Sequence, residues 1–450
     1  MPEPTLYAVT DPATGQTLAT YPTATEADID TALASAHAAT SWGRSSAVAQ
    51  RAKLLREVAY LHRKRRADLA ATIVQEMGKP LEEAETEIDF CADIYDYYAD
   101  NAEAFLADEP VDIGTGRGSA VLRRSPVGAL LGIMPWNFPA YQIARFAAPN
   151  LAAGNTVILK PAPQCPASAD ALQQIFHDAG FPAGAYGTVY ATNDQVARVI
   201  ADPRVQGVSL TGSEAAGSAV AQIAGRHLKK VVLELGGSDP FLVLSTEDMA
   251  DTVDKAVTAR LDNTGQVCNA PKRFIVLQEL YQEFLDAFTE QLLARSPANP
   301  LASQAAADAL AERVETAVAQ GATYVTAGAR TGAHFPAGVL TDLSADHDIV
   351  QQELFGPVAM VFRARDEDHA VQIANDTPYG LGSYIISTDP QQARRVADRI
   401  DAGMVFVNGV LADQAELPFG GVKRSGFGRE LGRPGIEEFL NKKLIRTVTA

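Results

Sequence analysis

Between residues 129 and 237 five short apolar runs alternate with four helical ones, and this alternation constrains the fold more than any other feature. ALLGIMPW, NTVILKPAP, TVYAT, QGVSLTGS and KVVLELGG read as strands. FAAPNLAAG, ASADALQQIFHDAGFPAG, DQVARVIADP and EAAGSAVAQIAG read as helices, two of them with a glycine stop. Strands separated by helices of ~10–15 residues pair through crossovers, which predicts a mostly parallel sheet covered on both faces. A second α/β pattern runs from DPFLVLS to MVFVNG. Upstream, TEADIDTALASAHAATSWG opens on a threonine cap, and AVAQRAKLLREVAYLHRKRRADLAATIVQEMG predicts one or two long amphipathic helices. Its HRKRRAD run reads as a solvated helix face. Two segments outside the alternation, GTGRGSAVLRRSPVG and FLNKKLIRTVTA, read as extended arms, either ordinary edge strands or an oligomer interface.

A chain of 450 residues suggests two or three domains, and 47% hydrophobic residues suffice for sizeable cores. The net charge of −17 disfavours nucleic acid as a partner, because an acidic surface repels phosphate. No apolar run approaches the ~18 residues of a membrane span, and the N-terminus lacks the blocks of a signal peptide. Three cysteines make no disulfide framework, so a reducing, cytoplasmic compartment is expected. Seven scattered histidines without ligand spacing predict no metal site.

Two glycine motifs invite a phosphate. GTGRG follows no strand and opens no clear helix, so it reads as a turn. SLTGSEAAGSA differs: a strand leads into Gly212 and Ser213, and a helix starts there. Backbone amides at such a helix start, with the positive end of its dipole, suit a pyrophosphate.

The nucleophile candidate is Cys268 in DNTGQVCNA, where Gly265-Gln266-Val267 gives a tight, small-residue approach. Cys91 and Cys165 read as buried structural residues. Glu234 ends an apolar strand before two glycines, a position that favours a raised pKa and general-base work. Asn137 stands in MPWNFP, its amide a fixed donor suited to an oxyanion.

PWNFP, ILKPA, SLTGS, LELGG, NTGQVC, ELFGPV and PFGGVKRSGFGREL occur in this order over nearly the whole chain. The pattern resembles the aldehyde dehydrogenase superfamily, and ELGGSDPF with GQVCNAPKRF most resembles its short bacterial succinate-semialdehyde dehydrogenases. The resemblance implies a Rossmann-type cofactor domain over 1–113 and 134–233, an α/β catalytic domain over 234–412, and a β oligomerisation arm over 114–133 and 434–450. It implies a homodimer or homotetramer acting on a small-molecule aldehyde. Cys268 would attack the aldehyde carbon, Asn137 and the Cys268 amide would hold the oxyanion, and Glu234 would activate the water that hydrolyses the thioester. Lys160, Ala162 and Pro163 would meet the adenosine ribose, Gly212 and Ser213 the pyrophosphate. Trp136, Leu235, Glu353 and Phe355 would line the rest of the nicotinamide cofactor's path.

In relatives that prefer NAD the position of Pro163 is commonly a glutamate, which would repel a 2′-phosphate. Its absence beside Lys160 favours NADP over NAD. Arg145 matches an arginine that can bind a substrate carboxylate, with a structural salt bridge as the alternative, and Gln266 is a second substrate candidate. Asp262 stands where some semialdehyde dehydrogenases carry arginine, and would repel a carboxylate if it faced the pocket. The remaining departures, a short SPANPLASQ loop near 296–303, Ala337-Gly338 and Gln352, concern local packing. Among other classes, a thioester passed to a thiol such as coenzyme A is disfavoured by Glu234. A non-enzymatic structural protein of this fold is disfavoured by Cys268, Glu234 and Asn137 together.

Overall fold

The computed structural model describes residues 7–114, 116–344 and 346–449. Two large sheets organise the chain. The first has six strands in the order Gly426–Phe427, Lys230–Glu234, Val205–Thr211, Ala129–Ile133, Thr156–Lys160 and Tyr186–Thr188. All neighbours are parallel except the first pair. The second has seven, in the order Thr323–Thr326, Gly338–Thr341, Val358–Ala364, Pro271–Leu277, Asp239–Val243, Tyr384–Ile386 and Phe406–Val407, parallel except at its Thr323–Thr326 edge. The β-branched runs form the strands because both faces are covered: every residue of Thr156–Lys160 and of Asp239–Val243 is buried.

One face of the six-stranded sheet packs Leu131, Val208 and Leu233 against Ile29, Leu33, Val199 and Val220 from helices Glu26–Ser45, Asn193–Ala201 and Glu214–Arg226. The opposite face meets helices Val48–Lys64, Leu81–Leu106, Tyr141–Ala153 and Pro166–Asp178 through Leu55, Tyr95, Phe146 and Phe176.

Several expected boundaries move. The 47–78 segment takes the second of its two expected forms, a pair of helices, Val48–Lys64 and Arg66–Met77, interrupted at Arg65. The run TVYAT is not the strand; that lies at Tyr186–Thr188, because Thr192 is taken as the helix cap in a capping box with Gln195. The arm expected over 114–133 ends at Pro126, since Ala129–Ile133 lies inside the six-stranded sheet. Strand Ser119–Pro126 pairs antiparallel with Leu440–Thr447 on one side and Glu109–Pro110 on the other. The six-stranded sheet also draws an edge strand from Gly426–Phe427, outside the expected cofactor segments. Within GTGRG, Gly114 lies in a turn; Thr115 falls outside the described residues.

Candidate active site

In the six-stranded sheet, the strand after Ala129–Ile133 lies on one side of it and Val205–Thr211 on the other. The connection therefore reverses direction there, and ligands of open α/β sheets bind at the carboxyl ends around such a switch point. Trp136, Lys160, Gly212 and Glu234 all fall at or just beyond those carboxyl ends. Helix Glu214–Arg226 starts beside them, capped by Ser213, whose hydroxyl accepts from the Ala216 N–H at 3.3 Å.

Cys268 sits on a strained loop between helix Met249–Leu261 and strand Pro271–Leu277. Asn263 (φ 48°), Thr264 (φ 56°) and Gly265 (φ 77°) occupy the left-handed region in succession. The two non-glycines cost roughly 1–2 kcal/mol each, and the surroundings must over-determine them. A Cβ on Gly265 would lie 2.4 Å from the Gly356 carbonyl carbon, so only glycine fits. Arg260, fully buried, donates to the carbonyls of Gly265 (2.6 Å), Gly356 (2.7 Å) and Pro271 (2.8 Å). Lys272, also fully buried, donates to the carbonyls of Val267 (2.7 Å) and Cys268 (2.5 Å) and lies 3.5 Å from a Glu353 oxygen.

The Asn137 amide donates to the Gln266 carbonyl at 3.1 Å, and Asn263 donates to the Asn137 carbonyl at 2.8 Å. Asn137 is thereby fixed to the nucleophile loop. No acceptor among the described residues takes the Cys268 backbone N–H, which leaves it available to an oxyanion. Burial pushes the Cys268 thiol up to about 12, against the opposing pull of Arg145 and Lys272. That shift favours the neutral thiol, and the thiolate is the form that attacks.

Glu234 ends strand Lys230–Glu234 with 2% exposure, and neither carboxylate oxygen has a hydrogen-bond partner among the described residues. Burial drives its pKa well above the usual carboxylate range, with the Arg145 guanidinium opposing and Glu430 adding to the rise. An unpaired, desolvated carboxyl of this kind is the environment that makes a general base at neutral pH.

Two of the expected substrate ligands are placed otherwise. Arg145 is fully buried, ion-paired with Glu430 and stacked on the rings of Phe419 and Tyr141, the structural salt bridge of the two alternatives. The Gln266 side chain donates to the Asn263 carbonyl (3.1 Å) and accepts from the Ala302 N–H (2.8 Å). Fully buried, it shapes the loop.

The residues expected around a dinucleotide stand as follows. Glu353 accepts from the Gly237 N–H at 3.1 Å, and the Trp136 and Phe355 rings pack edge to face at 5.5 Å. Leu235 lies against Gly217 of the helix that Ser213 caps. Gly212 keeps open space on its side-chain face, where a Cβ would meet only Leu210 at 3.6 Å. Lys160 ends its strand with no carboxylate partner among the described residues, its ammonium 5.6 Å from the centre of the Tyr7 ring. Ala162 is buried in the turn that follows, and the Pro163 carbonyl accepts from Ala8 at 3.0 Å. A capped helix start, an unpaired lysine and a carboxylate held beside paired glycines fit a dinucleotide phosphate, its 2′ side and a ribose respectively.

A cavity of about 610 Å³ leads to Cys268. Phe90, Phe138, Tyr141, Tyr384 and Phe419 give it an aromatic wall. Its polar lining is acidic: Glu83, Glu87, Asp89, Asp93, Asp262 and Asp413 face Arg295 as the one cation in the lining. The sequence marked Asp262 alone of these. Glu83 and Asp413 come from remote segments and carried no local signal, whereas Lys272 stood inside the nucleophile motif and was overlooked.

A strained cysteine loop, an isolated carboxyl and a capped helix start at the switch point of an open α/β sheet fit a nicotinamide-dependent oxidoreductase. The chain belongs to the aldehyde dehydrogenase family, which it matches over residues 2–445. It is 49% identical to the succinate-semialdehyde dehydrogenase [NADP(+)] of Deinococcus radiodurans, over 98% of this chain and 94% of that one. It is 45% identical to the enzyme of the same name from Mycobacterium avium, over 97% and 96%. Among solved structures it superposes on the succinic semialdehyde dehydrogenase of Streptococcus pyogenes in complex with NADP+ with a TM-score of 0.96, at 37% identity, over 98% of this chain and all of that one. As in the family at large, the chain is an NAD(P)-dependent enzyme acting on aldehydes.

Proposed function

We propose that the chain oxidises a small aldehyde to its carboxylate with NADP, using Cys268 as nucleophile and Glu234 as base. The observation that carries this reading is the pairing of a rigidly held, half-buried cysteine with a carboxyl left without any partner. Once Cys268 has lost its proton, its sulfur adds to the aldehyde carbon, and the oxyanion takes the Cys268 N–H and the Asn137 amide. The bound oxidised nicotinamide supplies the hydride acceptor, so that aldehyde, water and NADP+ give carboxylate, NADPH and two protons. Glu234 takes a proton from the water that opens the Cys268 thioester. Lys160, with no carboxylate at Pro163, supports NADP over NAD.

The names of the relatives place succinate semialdehyde first among substrates. An uncharged or cationic aldehyde is the second reading, favoured by the acidic lining of the cavity. The assay is reduction of NADP and of NAD followed at 340 nm with succinate semialdehyde, butanal and benzaldehyde. NADP-linked turnover of at least one aldehyde is expected. No turnover of any with either cofactor defeats the proposal. We also propose that the exposed edge of Leu440–Thr447 joins a second copy, giving a dimer or a dimer of dimers in the cytoplasm. Light scattering giving a monomer would reject it.

A further inference from the structure

Lys272 follows Cys268 by four residues, and its side chain has no solvent exposure. An ammonium is costly to bury, because fixed partners must replace its hydration. Here the partners are two carbonyls and a carboxylate. Nζ donates to the Val267 carbonyl at 2.7 Å and to the Cys268 carbonyl at 2.5 Å, and lies 3.5 Å from a Glu353 oxygen. Burial lowers the Lys272 pKa, whereas Glu353 and then Asp239 raise it, so the two carboxylates support the charged form. Asp239 is itself buried, on the strand that pairs with Pro271–Leu277.

The Val267 carbonyl and the Cys268 N–H belong to one peptide plane, and a trans peptide points them in opposite directions. A cation that fixes the carbonyl therefore fixes the direction of the N–H. It also draws electron density toward the carbonyl oxygen, which makes the N–H a stronger donor. The Ala270 N–H shares this carbonyl at 3.3 Å, a longer bond from a neutral donor. The Cys268 N–H itself has no acceptor among the described residues. The other oxyanion donor is anchored in the same way one residue earlier, where the Asn137 amide donates to the Gln266 carbonyl at 3.1 Å. The stretch before them, Asn263 to Gly265, runs through three consecutive left-handed residues, so the plane needs an anchor from outside the loop.

We propose that Lys272 is the positioning residue of the oxyanion site: its ammonium holds and polarises the Val267–Cys268 peptide so that the Cys268 N–H meets the developing oxyanion. The inference rests on the reading of Cys268 as the nucleophile. Lys272 touches neither aldehyde nor cofactor and acts only through the peptide it holds.

The test uses the free protein and two reactions of the same thiolate. 4-Nitrophenyl acetate acylates Cys268 through a tetrahedral oxyanion with loss of 4-nitrophenolate, whereas iodoacetamide loses iodide from a saturated carbon and forms no oxyanion. At one pH both rates scale with the same thiolate fraction, so their ratio cancels any change in the Cys268 pKa and reads the oxyanion site. Lys272→Met should lower that ratio by about tenfold or more, and Lys272→Arg, which keeps a cation with several donors, should recover most of it. An unchanged ratio in Lys272→Met, or equal ratios in the Met and Arg variants, overturns the inference. Should Lys272→Met fail to fold by circular dichroism, Lys272→Gln, a donor without charge, takes its place against Lys272→Arg, and equal ratios in those two reject the inference. A wild type whose Cys268 reacts with neither reagent defeats the nucleophile reading itself, whereas a reactive wild type with an unmoved ratio removes Lys272 alone.

Discussion

Cys268 and Glu234 are handled in opposite ways. Around the cysteine the loop is held by its carbonyls: Arg260, Lys272, Asn137 and Asn263 between them take those of Gly265, Gln266, Val267 and Cys268. Around Glu234 the backbone is ordinary strand, and the side chain is left alone. The difference follows from what each group does. A nucleophile must meet a carbon from a fixed direction, so its loop is held in a conformation it would not adopt by itself. A base must exchange a proton, and any permanent hydrogen bond to its carboxylate would stabilise the ionised form and weaken it.

The contrast can be broken at either end. Cys268→Ala should reduce aldehyde oxidation by ~10³-fold or more while cofactor binding, read by nicotinamide fluorescence, is unchanged. Residual turnover near wild type would remove the cysteine from its role. Glu234→Gln should slow hydrolysis of the thioester by ~10²–10⁴-fold, so that intact-protein mass spectrometry finds the acyl-enzyme accumulating. Because burial raises Glu234, thioester hydrolysis in the wild type should increase with pH as that carboxyl ionises, and the Gln variant should lose this dependence.

Smaller effects sharpen the comparison. Gly265→Ala forces a Cβ against the Gly356 backbone and should cost about 2–3 kcal/mol in denaturant unfolding. An unchanged midpoint would show the loop to be less constrained than its geometry demands. Smallest is the cofactor side. Burial lowers Lys160 to about 8, so its charge, and with it the attraction for a 2′-phosphate, is present below that pH and lost above it. NADP affinity should weaken several-fold as pH rises through ~8, and Lys160→Met should flatten the profile.

Much of this was legible in the chain. The strands at 129–133, 156–160, 205–211 and 230–234 announce themselves because doubly covered parallel strands are uninterrupted apolar runs. Asn137, Glu234 and Cys268 stand in short motifs whose local geometry the sequence carries. What was not legible depends on partners far along the chain. Arg145 reads equally as clamp or strut until Glu430 is seen beside it. Gln266 reads as a pocket residue until its oxygen is found on the Ala302 amide. The acidity of the cavity comes from the 83, 262 and 413 regions, which only the fold brings to one place.

The last stretch of the chain has a bearing on how the protein is made. Gly426–Phe427 edges the sheet whose other strands end at Glu234, and the Phe439 carbonyl accepts from the Asn155 amide at 2.9 Å while its ring packs on Gly207 and Phe146. A ribosome delivers these residues well after the other strands of that sheet, so the six-stranded sheet waits unfinished, its Phe439 socket open, until they emerge. Nascent chains stalled before residue 426 should therefore depend on chaperones.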